Sequence, residues 1–282
     1  LLSMNGDDMR RRRLLDGQLV KVRSRRGELL LPVHKDDSLR PGQAFLPMHW
    51  GDRFLKGLGV NSLTLPAFDP ISKQPELKHA GVEVEKVELP WQLFALVEGS
   101  VQKRFEALRP LFEGFAYASF SLTGRERPAL VIRAACNEPP SRTQLAQLEQ
   151  LLGLDEGPVL VYDDPRRSVG KRVRIEDGRI VALSLSGETA ARDWLKQLWH
   201  DGKADQALRR WLLAPLSTPP GGDVRPAKTL CNCMNVSQEA ICSGIERGLD
   251  LNGLKRELGC GTSCGSCVPE IKRLLVKQPA VA

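Results

Sequence analysis

Residues 231–237, CNCMNVS, and residues 260–270, CGTSCGSCVPE, decide how the last part of this chain folds. They hold the pairs Cys231-Asn232-Cys233 and Cys264-Gly265-Ser266-Cys267, with 30 residues between them. Each pair can deliver two thiolates to one metal site. Between the pairs lie two short helical patterns. Ser237 can cap the first, which carries Ile241 and Ile245, and Leu254 and Leu258 mark the second. Cys267 precedes Val268-Pro269-Glu270, a helix start with proline in the first turn. Ile271, Leu274 and Leu275 would be that helix's buried face. A thiolate beside a helix N-terminus is stabilised by exposed N–H groups and the dipole. Gly259, Gly261 and Gly265 let the backbone approach the sulfurs.

On spacing alone three readings stay open. An iron–sulfur cluster uses four thiolates, and so does a structural zinc site, although the tight C-x-C pair is less usual for zinc. A redox disulfide could use Cys264 and Cys267, but no thioredoxin-like βαβ pattern surrounds them. Two further cysteines lie in this region. Cys242 falls on a helix and Cys260 in the glycine loop. The stretches CNCMNVSQEAICSGI and GCGTSCGSCVPEIKRLL closely resemble the bacterioferritin-associated ferredoxin-like [2Fe–2S] domain. That resemblance implies Cys231, Cys233, Cys264 and Cys267 as the cluster ligands, with Cys242 and Cys260 outside the set.

Upstream, residues 217–228 are rich in Pro and Gly and read as a linker. Residues 91–216 read as an α+β spacer domain. ALVIRAAC (129–136) and PVLVYDD (158–164) are strands, and KRVRIEDGRIVALSL (171–185) is a hairpin turning at Asp177-Gly178. Ser141 can cap a helix with Leu145, Leu148, Leu151 and Leu152 on one face and Gly153 as its stop. Two more helices follow, with Trp194, Leu195, Leu198 and Trp199 on the first and Leu208, Trp211 and Leu212 on the second, all expected in the core. No catalytic constellation is visible here, and Cys136 has no metal-site context.

Residues 1–90 read as mostly β. LVKVRS (19–24), a turn at Arg25-Arg26-Gly27 and ELLLPV (28–33) form a hairpin, and GVEVEKVEL (81–89) returns to strand alternation. The stretch 34–80 is turn-rich and carries His34, His49, Trp50 and His79. A loop segment that long is more often functional than idle. LLDGQLVKVRSRRGELLLPV, RPGQAFLPMHWGD and VNSLTLPAFDPISKQPELKHAGVEVE resemble the molybdopterin-dinucleotide-binding domain of molybdenum oxidoreductases, the assimilatory nitrate reductases most of all. The resemblance implies a double-psi β-barrel. It also implies cofactor contacts from the Asn of a V-N-x-L-T motif and from a Lys 17 residues later, which are Asn61 and Lys78 here. His49 and Trp50 would line the pocket. An amide suits a pterin edge and an ammonium suits a phosphate.

The 282 residues carry a net charge of +7, and only the run Arg10 to Arg13 concentrates it. With no recognition motif beside it, nucleic acid is not expected as a partner; a solvated turn or a surface for an anionic partner is. There are seven cysteines, six of them between positions 231 and 267, which is no secreted disulfide framework. No apolar run is long enough for a membrane span, and no secretory signal opens the chain. A cytoplasmic location is expected.

These readings combine into a multidomain α+β chain: barrel, spacer, linker, and a small helical [2Fe–2S] domain over 229–282. The resemblances together imply the C-terminal part of a molybdenum enzyme that reduces nitrate to nitrite. It would bind molybdenum bis(molybdopterin guanine dinucleotide) as a partial site and relay electrons through a [2Fe–2S] cluster. The donor would be an NADH-oxidising flavoprotein or a ferredoxin, and the remaining partner the rest of the molybdenum enzyme. The chain begins with Leu rather than Met, lacks a molybdenum-ligating cysteine in context, and would be inactive alone. The rival reading is a non-catalytic iron–sulfur electron-transfer or docking protein.

Overall fold

Alternating apolar residues in Leu19–Arg23 and Glu28–Lys35 bury Val20, Val22, Leu29, Leu31 and Val33 on one side of a hairpin. In a computed structural model this hairpin is the centre of a mixed sheet. The structure describes residues 1–47, 51–76, 79–124, 126–202, 206–220, 229–231, 234, 236–262 and 265–277. The chain opens with β1 (Leu2–Met4), α1 (Gly6–Arg11), β2 (Leu19–Arg23), β3 (Glu28–Lys35), β4 (Ala44–Phe45) and β5 (Glu83–Lys86). The five strands run in the order β4-β1-β3-β2-β5. β2 pairs with β3 antiparallel, as the turn at 24–27 requires, whereas β1 lies parallel to β3. Val60 and Leu63, from a short 3-10 turn, close the core of this sheet.

The arginine run belongs to an element that sequence reading did not anticipate. Asn5 caps α1 by accepting from the Asp7 amide, and Arg10 and Arg11 fill its last turn, where cations complement the helix dipole.

A second sheet follows. Its elements are β6 (Trp91–Glu98), α2 (Val101–Leu108), β7 (Tyr117–Thr123), β8 (Ala129–Cys136), α3 (Arg142–Leu151), β9 (Val159–Asp164), β10 (Val169–Glu176), β11 (Arg179–Ser186), α4 (Arg192–Asp201) and α5 (Gln206–Arg209). The strand order is β7-β8-β6-β11-β10-β9, with every neighbour antiparallel. Helices cover both faces. One face packs Leu108, Phe112, Leu148 and Leu152 against Phe120 and Ile132. The other packs Trp194, Leu195 and Trp199 against Phe94, Leu96 and Val131. That is why β8 is apolar almost throughout rather than alternating. Ser141 and Gln144 form a reciprocal capping box at the start of α3. The β10–β11 turn holds Asp177 and Gly178 at φ +48° and +76°, the left-handed pair that a two-residue hairpin needs.

Trp211 departs from expectation. The last helix of this region ends at Arg209, so Trp211 falls in the turn beyond it and is 37 % exposed, while Leu212 is fully buried. Both sheets belong to one compact unit, Leu1–Pro215, and the remaining residues form a second, Leu216–Ala282. Within the first unit Leu19 and Leu89 pack with Tyr117 and Ala135.

The second unit contains β12 (Thr229–Cys231) and β13 (Val236–Ser237), paired antiparallel, then α6 (Gln238–Glu246), α7 (Leu251–Leu258) and α8 (Val268–Lys277). Ser237 caps α6 through the Ala240 amide, and Asp250 caps α7 through the Gly253 amide. Ile241, Ile245, Leu254 and Ile271 form the core with Cys231, Cys260 and Cys267. Among the described residues no helix is long and apolar enough to cross a membrane.

Candidate metal centre and cofactor surface

Cys231 ends the short strand β12, and Cys267 stands immediately before α8, where its carbonyl accepts from the Ile271 amide. The fold brings these two residues together although 36 positions separate them in sequence. Both are buried, and the Cys231 side chain is hydrogen-bonded to the Cys267 thiol. Burial, then this bond and the neighbouring Cys231 charge, push the Cys267 thiol up to about 11. The Gly261 and Cys267 amides act against that rise by donating to the sulfur. A Cys267 thiol in this core, already supplied with N–H donors, loses its proton when a cation arrives.

The glycines fit this picture. Gly259 terminates α7 at φ +70°, and an added Cβ would meet Met234 Cε at 2.5 Å. Gly261 sits at φ +75°, with Val268 Cγ2 2.7 Å from where a Cβ would be. A side chain at Gly261 would therefore displace the amide that faces Cys267.

Cys260 is fully buried in the same core, and its thiol donates to the Leu254 carbonyl at 3.6 Å. Burial, then the Cys231 charge, raises it. Among the described residues no three His, Cys, Asp or Glu side chains converge as a metal site. Cys260 therefore does not complete a set with Cys231 and Cys267. Cys242 lies half-buried on α6. Cys136, at the end of β8, donates to the Glu138 carbonyl at 2.8 Å and is likewise raised by burial. Cys233 and Cys264 lie outside the described residues. The two described cysteines fit a thiolate-bound cluster in chemistry, burial and N–H supply.

In the front sheet Asn61 lies in the 3-10 turn Val60–Leu63. Its main-chain carbonyl accepts from the Thr64 amide and hydroxyl, and its side chain is exposed. Gly59 introduces this turn at φ +78°. Gly27, at the β2–β3 turn, runs so close that an added Cβ would lie 2.9 Å from the Ser62 carbonyl. The amide of Asn61 is thus presented on a loop buttressed from behind. His49, Trp50 and Lys78 lie outside the described residues. His34 is exposed and bonded to Asp16 at 3.0 Å, an ordinary surface pair.

Comparison with known proteins matches both ends of the chain. Residues 1–81 match the family described as the molydopterin dinucleotide binding domain. Residues 229–277 match the BFD-like [2Fe-2S] binding domain. A nitrate reductase of Klebsiella oxytoca is 30 % identical over 279 residues, which are 98 % of this chain and 30 % of that protein. A nitrate reductase of Synechocystis sp. is 46 % identical over 65 residues, 23 % of this chain and 9 % of that protein. The F420-dependent formate dehydrogenase subunit alpha of Methanocaldococcus jannaschii is 34 % identical over 86 residues, 30 % of this chain and 12 % of that protein. The chain spans less than a third of the length of these relatives. It carries a molybdopterin dinucleotide-binding domain and a BFD-like [2Fe–2S]-binding domain, the domains for those two cofactors, in a sequence similar over nearly its whole length to a nitrate reductase.

Proposed function

We propose that this chain is the C-terminal part of a cytoplasmic molybdenum oxidoreductase that reduces nitrate to nitrite for assimilation. The observation that carries the reading is the buried Cys231–Cys267 pair at the start of α8, in a chain whose front matches a molybdopterin dinucleotide domain. When bound, the cluster supplies one-electron transfer and the molybdenum cofactor supplies the chemistry at nitrate. This chain's residues do the rest. Cys231, Cys233, Cys264 and Cys267 hold the cluster, the Gly261 amide faces sulfur, and the core of α6, α7 and α8 excludes water.

In the front domain Asn61 and Lys78 bind the dinucleotide cofactor, with His49 and Trp50 along its pocket. The five-stranded sheet is read as part of a double-psi β-barrel spanning residues 1–90. Residues 91–216 act as a spacer, and 217–228 as a linker to the cluster domain at 229–282. The electron donor is an NADH-oxidising flavoprotein or a ferredoxin, and the chain without the rest of the enzyme is inactive. Anaerobic purification of the 282-residue chain, followed by iron, sulfide and zinc analysis, tests the cluster assignment. The expected result is a brown protein with iron and sulfide in equal amounts; a colourless protein holding zinc and no iron overturns it.

A further inference from the structure

Arg133 sits in the middle of β8, a strand whose other residues are apolar. It points to the same side of the sheet as Phe94 and Ser119, its cross-strand partners. That side is covered by α4. The Arg133 Nε is buried and has no hydrogen-bond partner, a condition that costs stability, most of all for a charged group. Among the described residues no carboxylate lies within ion-pair distance of Arg133. The guanidinium lines a small cavity of about 40 Å³, together with Arg192, Tyr117, Gln92 and Gly17.

The surroundings concentrate positive charge instead of cancelling it. Arg192 enters from the first turn of α4. It packs so closely on Gly17 that a Cβ there would lie 3.2 Å from its Nη2, and Gly17 holds φ +77°. Lys196 stands one turn further along the same helix face. Burial, then the charge of Arg133, lowers the Lys196 ammonium. The only carboxylate paired with this group among the described residues is Asp193, 3.5 Å from Arg192 and itself exposed. The Tyr117 hydroxyl is shared with Ser119 at 2.7 Å and lies beside the cavity. Three cations, one peripheral anion and an orphaned buried donor leave a deficit of negative charge.

We propose that this cavity, at the end of the six-stranded sheet under α4, is a binding site for one small oxyanion, held by Arg133 and Arg192 with Lys196 behind. The space admits a trigonal or tetrahedral anion of a few atoms and nothing as large as a nucleotide. A guanidinium fork fits either shape through paired N–H donors. The site lies in the middle region, outside both matched domains, and does not depend on the cluster assignment.

The test titrates the full 282-residue chain with nitrate and, separately, inorganic phosphate, following melting temperature and binding heat against sodium chloride at matched ionic strength. Saturable one-to-one binding of either anion is expected, with nitrate alone selecting a trigonal ligand and phosphate alone a tetrahedral one. Arg133→Met should weaken it at least ~10-fold. Lys196→Met, a half-buried surface change that leaves the sheet intact, should weaken it ~3-fold or more and covers the case in which Arg133→Met does not fold. No saturable binding of either anion, equal stabilisation by chloride, or unchanged affinity in both variants overturns the proposal.

Discussion

Cys267 is where backbone and sulfur chemistry meet. It ends the glycine loop, begins α8 and shares a hydrogen bond with Cys231. Replacing either Cys231 or Cys267 by Ala is expected to abolish bound iron and sulfide. Cys260→Ala should leave both in place and cost roughly 1 kcal/mol for the small cavity it opens in a denaturant melt. Retained colour in Cys267→Ala would overturn the ligand assignment. Lys171 makes a second test of buried charge. It is 1 % exposed and pairs with Glu188, which is partly exposed. Lys171→Met should destabilise by about 3 kcal/mol, because a carboxylate is left without its partner, and Lys171→Met with Glu188→Leu should recover most of that. His200 sets a pH dependence. Burial first, then Lys196, lowers its pKa from 6.5, and its Nε2 lies 3.0 Å from Thr123 Oγ1. The folded state therefore binds fewer protons than the unfolded one as pH falls through 6.5, and stability is lost in that direction. Stability of His200→Gln, followed by urea melts across this range, should slope less.

At the scale of elements, what the sequence made legible was local. Ser141, Ser237 and the Asp177-Gly178 turn act where they stand, and the structure uses all of them. Ser141→Ala should cost about 1 kcal/mol by removing one half of the capping box, readable as a shift in the urea midpoint. Non-local pairings were not legible. Nothing in Leu2–Met4 announces a strand lying parallel to β3, since its partners come from more than thirty residues away. Trp211 was misread because helical spacing continues past Arg209 while the helix does not. Arg133 was overlooked because a single charge inside ALVIRAAC looks like the solvent face of a strand. It is instead the one polar break in a strand covered on both sides. The metal site was half visible by spacing, since four thiolates serve iron and zinc alike. The approach of Cys231 to Cys267 and the role of the Gly261 amide needed the fold.

For the whole molecule, the division into Leu1–Pro215 and Leu216–Ala282 carries a thermal expectation. The first unit owns two large apolar clusters around its six-stranded sheet, whereas the second owns one small core that includes three cysteines. Domains of that size rarely stand on hydrophobic burial alone. Scanning calorimetry of the loaded chain should show two transitions. Removing the metal with acid and chelator should erase the transition of the smaller unit and leave the larger one within a few degrees. A single transition insensitive to chelation would contradict this. The hydrogen-bonded Cys231 and Cys267 thiols also bear on how such a protein is handled. Once emptied in air, neighbouring thiols are a two-electron oxidation by oxygen away from a cross-link, and the closed form has lost two of the four sulfurs proposed to hold iron. An aerobic preparation should therefore stay colourless when iron and sulfide are added, and recover only after treatment with a thiol reductant. Its shelf life would be set by oxygen and not by heat.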